Sequence, residues 1–370
     1  MAPVRHETKI RLYDRHEIPE YFWEPYIIGE YRKPGLTIKD SIKSVVELHN
    51  ETFNIWTHFA LFLFTIGYIC QPSFDLYNDV TLHPLLCVMI TICAYTFGSS
   101  FAHTFCSISQ FSQHIGFMVD YYGISLYAFS CSLANLAYSF PPEWRNSWWE
   151  KCFLYVDFLG CVFAVYLSNK SRFRNFDGIC KVMRVVGFLL PYLLGMSPLI
   201  YRVFTSFDFN GATYYFVCMI ISSFVAVTFY ATHFPECIYP RTFDIYCHSH
   251  QSFHVGVVVT TYFHLQGVKL DIVQGDSIAI DNSLTLLLCI VVLNGLMLGY
   301  HIYHMYIIHH RNVHSTAKSG YTTLRRPTLS SYLEPEKFSS VEEDTSTKLP
   351  GHILTHERRT LLNNNIWKND

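Results

Sequence analysis

The chain has 370 residues and a formal net charge of -2; 50% of the residues are hydrophobic, 17% aromatic and only 15% charged. Soluble domains carry about 25% charged residues, so this composition argues against an ordinary cytosolic enzyme. The absence of a basic excess argues against a nucleic-acid binder, and 26 Tyr with 30 Phe argue against a disordered chain.

A membrane-spanning helix needs about 20 apolar residues. Segments free of Asp, Glu, Lys and Arg run over 52–74, 80–119, 121–142, 185–201, 209–235, 245–268 and 282–310. The run 80–119 is too long for one span and breaks at the polar patch 106–114. A further span fits 150–168, interrupted only by Asp157. Eight helices are therefore predicted, at about 52–73, 82–105, 115–138, 150–168, 184–203, 210–234, 246–268 and 282–308. The fold class is an all-α polytopic membrane protein. The runs are apolar on every face, without the period-two alternation of a β-barrel.

Three regions follow: an N-terminal segment 1–48, a transmembrane domain 49–310, and a tail 311–370 rich in Ser, Thr and charge, expected to be disordered. The polar opening residues give no cleavable signal peptide, so the first helix is expected to serve as the targeting signal. Eight Lys and Arg precede the first span, five lie at the loop between the fourth and fifth, one follows the sixth and nine lie in the tail. Only Arg145, Lys151, Arg202 and Lys269 fall on the opposite side. By the positive-inside rule both termini are cytoplasmic. This balance supports the eighth helix, because with seven the nine tail charges would change sides. The sequons Asn50-Glu51-Thr52 and Asn169-Lys170-Ser171 then face the cytoplasm, and neither is expected to carry glycan. The 12 Cys contain no CxxC pair and read mainly as small buried hydrophobes. Arg325-Arg326-Pro327-Thr328 resembles a basophilic kinase site, and Glu357 with Leu361-Leu362 resembles an acidic dileucine signal.

Chemistry concentrates in the 19 His. Ser99 and His103, near the end of the second span, are spaced i, i+4 and share a helical face. His250 and His254, opening the seventh, have the same spacing, and Asp120 lies one turn into the third. The topology puts these five residues at similar depth near one membrane face. Three imidazoles are a complete donor set for zinc with an open fourth position for water; Asp120 could accept a hydrogen bond from that water, and Ser99 could orient a ligand. His248 is two residues from His250 and points elsewhere on a helix. Asp157 reads as a polar helix contact, and His49 and His58 as interfacial or helix-contact residues.

At these residues a family resemblance emerges. The segment His49-Asn50-Glu51-Thr52-Phe53-Asn54-Ile55-Trp56-Thr57-His58 resembles the signature that opens the first helix of the progestin and adipoQ receptor family. Ser99-x3-His103, Asp120 in VDYYG, and Phe243-Asp244-Ile245 followed by His248-Ser249-His250-Gln251-x2-His254 resemble its second, third and seventh helices. Met196-Ser197-Pro198 with Tyr201-Arg202-Val203, and Ser132-Leu133-Ala134 leading to Tyr138-Ser139, are closest to the membrane progestin receptors. The resemblance covers roughly residues 40–275. It implies seven helices around an internal cavity, an eighth C-terminal helix, and zinc on His103, His250 and His254 with Ser99 and Asp120 near its water.

Two function classes follow. One is a plasma-membrane receptor whose steroid ligand, most simply a progestin, or other lipid ligand is reported by the cytoplasmic face to a signalling or G-protein partner. The other is a zinc-dependent, ceramidase-like lipid amide hydrolase in which Asp120 and Ser99 are catalytic, alone or as the receptor's built-in activity. A purely structural zinc site is a third option. The ligand-binding residues are not identified by sequence.

Overall fold

The computed structural model describes residues 11–71, 76–173, 177–206, 211–275, 278, 280 and 282–319. Within these residues the chain is helical, with no strand and a single isolated bridge between Tyr13 and Tyr31. The α-helices are α1 (Ile38–Ser44), α2 (Thr52–Ile69), α3 (His83–Phe105), α4 (Gln110–Tyr138), α5 (Trp148–Ser171), α6 (Asp177–Gly195), α7 (Ser197–Thr205), α8 (Ala212–Thr232), α9 (Ser249–Gln274) and α10 (Ser283–Ser319). The kinase-type and dileucine motifs lie outside the described residues. Helix α10 continues past 310, where the sequence predicts the tail to begin, as far as Ser319.

Among the described residues, six helical segments are long and apolar enough to cross a bilayer: Thr52–Ile69, Val80–Phe105, Trp148–Ser171, Gly178–Gly195, Ala212–Thr232 and Ser283–His310. The protein is thus a multi-pass membrane protein. Helices α4 and α9 have ample length, 29 and 26 residues, but they are more polar. The reason is their inward face: α4 buries Gln113, Asp120 and Asn135, and α9 buries Gln251, His254 and His264. Outward positions are apolar, as Phe64 on α2, Phe224 on α8 and Leu296 on α10 show. That inversion suits a bundle whose exterior solvent is lipid.

Helix α4 is the axial element and touches α3, α5, α6, α7, α9 and α10. It approaches α3 closely because Gly123 has no side chain: a Cβ there would lie 2.7 Å from the Tyr95 backbone. Helix α2 packs on α3 and α9, and α8 runs along α9. Helix α10 lies against α3, α4 and α5, tied by Tyr122 Oη donating to Val291 O (3.1 Å) and Asn294 Nδ2 donating to Ser125 Oγ (3.1 Å). Near its far end His309 meets Phe111 at the start of α4, ring centroids 5.3 Å apart. The end of α10 therefore lies at the same end of the bundle as the start of α4.

The fifth predicted span, 184–203, is two helices with a break at Met196. Pro198 has no N–H for the Leu194 carbonyl; Ser197 Oγ donates to that oxygen instead (2.7 Å), and Asn135 Nδ2 donates to Gly195 O (2.9 Å). A Cβ on Gly195 would collide with Ser132 Oγ, and it would lie 3.5 Å from Asp157 Oδ1. Asp157 is fully buried in α5 and faces this break.

Residues 11–48 fold against the start of α2, the end of α3 and the segment before α9. Ile18, Phe22, Ile27 and Tyr31 form a small core. Arg32, 3% exposed, donates to His103 O (2.6 Å), Thr104 O (2.8 Å) and Ser44 Oγ (3.0 Å). A guanidinium on the last carbonyls of α3 also complements that helix's negative end. Asp244 accepts from the Gly29 N–H (2.6 Å) and from Ile28.

Candidate metal centre

Helix α3 delivers His103 in its last turn, and α9 delivers His250 and His254 from its first two turns. The α3 C-terminus is held by Arg32. The α9 N-terminus is held by Glu236, which accepts from the Ser249 N–H (2.7 Å) and hydroxyl. One ring nitrogen from each of the three His lies within 4.8 Å of the others. His103 Nε2 and His250 Nε2 are 3.3 Å apart. Two nitrogens about 2.0–2.1 Å from a tetrahedral zinc stand about 3.3–3.4 Å apart, so this separation matches one edge of such a site. His103 and His254 are both 2% exposed.

On two of the three rings the other nitrogen is also engaged. His103 Nδ1 is 2.7 Å from Glu51 Oε2, at the threshold of α2. His254 Nδ1 is 3.1 Å from Thr57 Oγ1. His58 stacks on His254 with centroids 3.9 Å apart and planes 4° from parallel, the helix contact expected of it. Burial opposes ionisation of Glu51, but the neighbouring His103, Asn54 and Arg32 outweigh it and hold the carboxyl below its usual range. His49, which accepts from the Glu51 N–H (3.0 Å), is pushed down to about 3 by burial and by Arg32.

Ser99 and Asp120 are buried close by. A Cβ on Gly98 would lie 3.7 Å from Asp120 Cα, so residues 98–99 and 120 stand at one level. That level is one turn, about 6 Å, deeper along α3 than His103. Ser99 Oγ has no hydrogen-bond partner among the described residues. His248 is the N-cap residue of α9, makes no side-chain cap bond, and its Nε2 reaches Asn50 O at 3.2 Å. Asn50 and Asn169 of the two sequons are buried.

The three-His donor set fits a divalent metal. Imidazole is a common zinc ligand, three protein ligands suffice for an open site, and two of the rings have their second nitrogen already engaged. Sequence reasoning named the three His but gave no separate role to Glu51 or Thr57, although both stand in the quoted signature, nor to Arg32. Their partners are distant in the chain, and no local spacing marks them.

The haemolysin-III-related family model matches residues 46–265, a stretch that contains every residue of this centre. The chain belongs to this family, the progestin and adipoQ receptor group. Among its relatives, mouse (Mus musculus) membrane progestin receptor gamma is 34% identical over 268 residues, 70% of this chain and 81% of that protein. Mouse membrane progestin receptor delta is 34% identical over 273 residues, 69% of this chain and 77% of the relative. The gamma-B receptor of Danio rerio is 30% identical over 323 residues, covering 78% and 93% respectively.

Proposed function

We propose that this family member is a membrane receptor for a lipophilic ligand, most simply a progestin-type steroid, built on a zinc ion held by His103, His250 and His254. The observation that carries the metal is the 3.3 Å separation of two Nε2 atoms in a buried three-His cluster; the ligand class rests on the names of the relatives. Bound there, zinc supplies a Lewis acid that polarises a ligand oxygen. Ser99 and Asp120, one turn deeper, orient the ligand's polar end, and the surrounding apolar helices take its body. Signalling then requires that the ligand bind two arrangements of the helices with different affinity. We place the protein in the plasma membrane with both termini cytoplasmic, where a signalling or G-protein partner reads that change.

The buried Asp120 beside Ser99 favours a second reading, a lipid amide hydrolase in which Asp120 is the proton acceptor. One set of measurements separates the two. Purified wild-type protein should hold about one zinc and bind labelled progesterone. His103→Ala with His250→Ala should lose the metal, whereas His248→Ala should keep it. Asp120→Asn should keep zinc and steroid binding, and any release of fatty acid from ceramide should fall about 10²–10⁴-fold. Normal zinc content in the double mutant refutes the centre; parallel loss of signalling and hydrolysis in Asp120→Asn makes the enzyme the primary function.

A further inference from the structure

We propose that α2, which supplies no metal ligand, fixes the ring orientation and the proton position of two of the three ligands: Glu51 for His103 and Thr57 for His254. This rests on the three-His zinc reading and extends it to a helix outside the donor set.

A neutral imidazole carries one N–H and one lone pair, and the partner of one nitrogen decides the state of the other. Glu51 Oε2 lies 2.7 Å from His103 Nδ1. An ionised carboxylate only accepts, so Nδ1 holds the proton and the Nε2 lone pair is free. That Nε2 is the atom 3.3 Å from His250 Nε2. Glu51 is not a fourth ligand, because it grips the ring at the nitrogen that does not face the cluster. It is itself held: Asn54 Nδ2 donates to the same oxygen (2.6 Å), and the Glu51 N–H donates to His49 Nδ1 (3.0 Å).

Thr57 repeats the logic without charge. Its hydroxyl donates to Phe53 O one turn back (2.7 Å). With its proton spent there, Thr57 Oγ1 presents a lone pair to His254 Nδ1 (3.1 Å). His254 is thereby set with its proton on Nδ1 and its Nε2 free, and the His58 ring stacked on it fixes the plane. Three neutral imidazoles bring no negative charge to a dication; Glu51 brings one through His103 and raises that ligand's basicity.

The test uses the purified full-length chain, stripped with chelator and titrated with Zn²⁺ against a chromophoric competitor. Thr57→Val, which keeps the shape and removes the hydroxyl, and Glu51→Ala should each weaken Zn²⁺ binding about 10–100-fold. Thr57→Ser should restore wild-type affinity. Glu51→Gln, whose amide oxygen still accepts from Nδ1, should fall between Glu51→Ala and wild type. Ser100→Ala is the packing control: Ser100 Oγ bonds Ile55 O across the α2–α3 contact (3.2 Å) without touching a ligand, and its affinity should not change. Wild-type affinity in both Thr57→Val and Glu51→Ala overturns the proposal while leaving the zinc centre intact. An equal loss in Ser100→Ala and Thr57→Val also overturns it, because packing would then account for the effect. A wild-type chain that binds no Zn²⁺ removes the centre and this proposal together.

Discussion

His49 shows how one residue ties stability at the membrane edge to pH. Its Nε2 sits 3.1 Å from Ser44 O and its Nδ1 accepts from the Glu51 N–H. Both contacts suit the neutral ring, and burial lowers its pKa from the ordinary 6.5 to about 3. Between those values the unfolded chain binds a proton that the folded chain refuses. The stability contributed by the neutral ring is therefore complete above about pH 6.5 and declines as pH falls toward 3. One such group adds at most about 1.4 kcal/mol per pH unit to the slope. His49→Gln should make the thermal midpoint less dependent on pH between 7 and 5 than in wild type. An unchanged slope would show that His49 titrates alike in both states.

At the scale of elements, the α6–α7 break is a joint between helices. Asn135 on α4 bridges it to α9: its Nδ2 donates to Gly195 O and its Oδ1 lies 2.8 Å from His264 Nε2. All of these groups are buried away from any solvent that could replace the bonds. Asn135→Leu preserves bulk and leaves one carbonyl and one imidazole unpaired. Each orphaned group costs about 1–3 kcal/mol, so the variant should melt well below wild type in detergent. Equal midpoints would show that the break holds without α4. The α2–α3–α9 contact is a second joint, and there the donor set and its orienting groups meet.

For the whole molecule, the path of α10 matters most. Its far end returns to the start of α4, which is also the end where the N-terminal segment docks on α3 through Arg32. An even number of crossings puts both termini on one side, and the proposal that this side is the cytoplasm rests on the Lys and Arg distribution. Epitope tags at Met1 and Asp370 should therefore stain only after cells are permeabilised. Staining of the C-terminal tag alone on intact cells would mean an odd number of crossings and would exclude α10 as a span.

The sequence by itself determined the class of fold and the identity of the three clustered His. Both are written in local, one-dimensional signals: apolar runs of bilayer length, and the i, i+4 spacing of a helix face, which Ser99 with His103 and His250 with His254 both show. It also carried the family likeness, through motifs of contiguous residues. What it left open depends on contacts between distant residues. His103 and Glu51 are 52 positions apart, and His254 and Thr57 are 197 apart; nothing in one sequence pairs them. Proline did not predict the helix break either. Pro191 lies inside α6 without ending it, whereas Pro198 coincides with the break, where Ser197 and Asn135 meet the exposed carbonyls. Hydropathy ranked α4 and α9 as the least membrane-like of the long helices, because it cannot see that their polar groups face one another. Only the tertiary structure supplies those partners, and in a lipid-facing bundle partners decide whether a buried polar residue is a cost or a site.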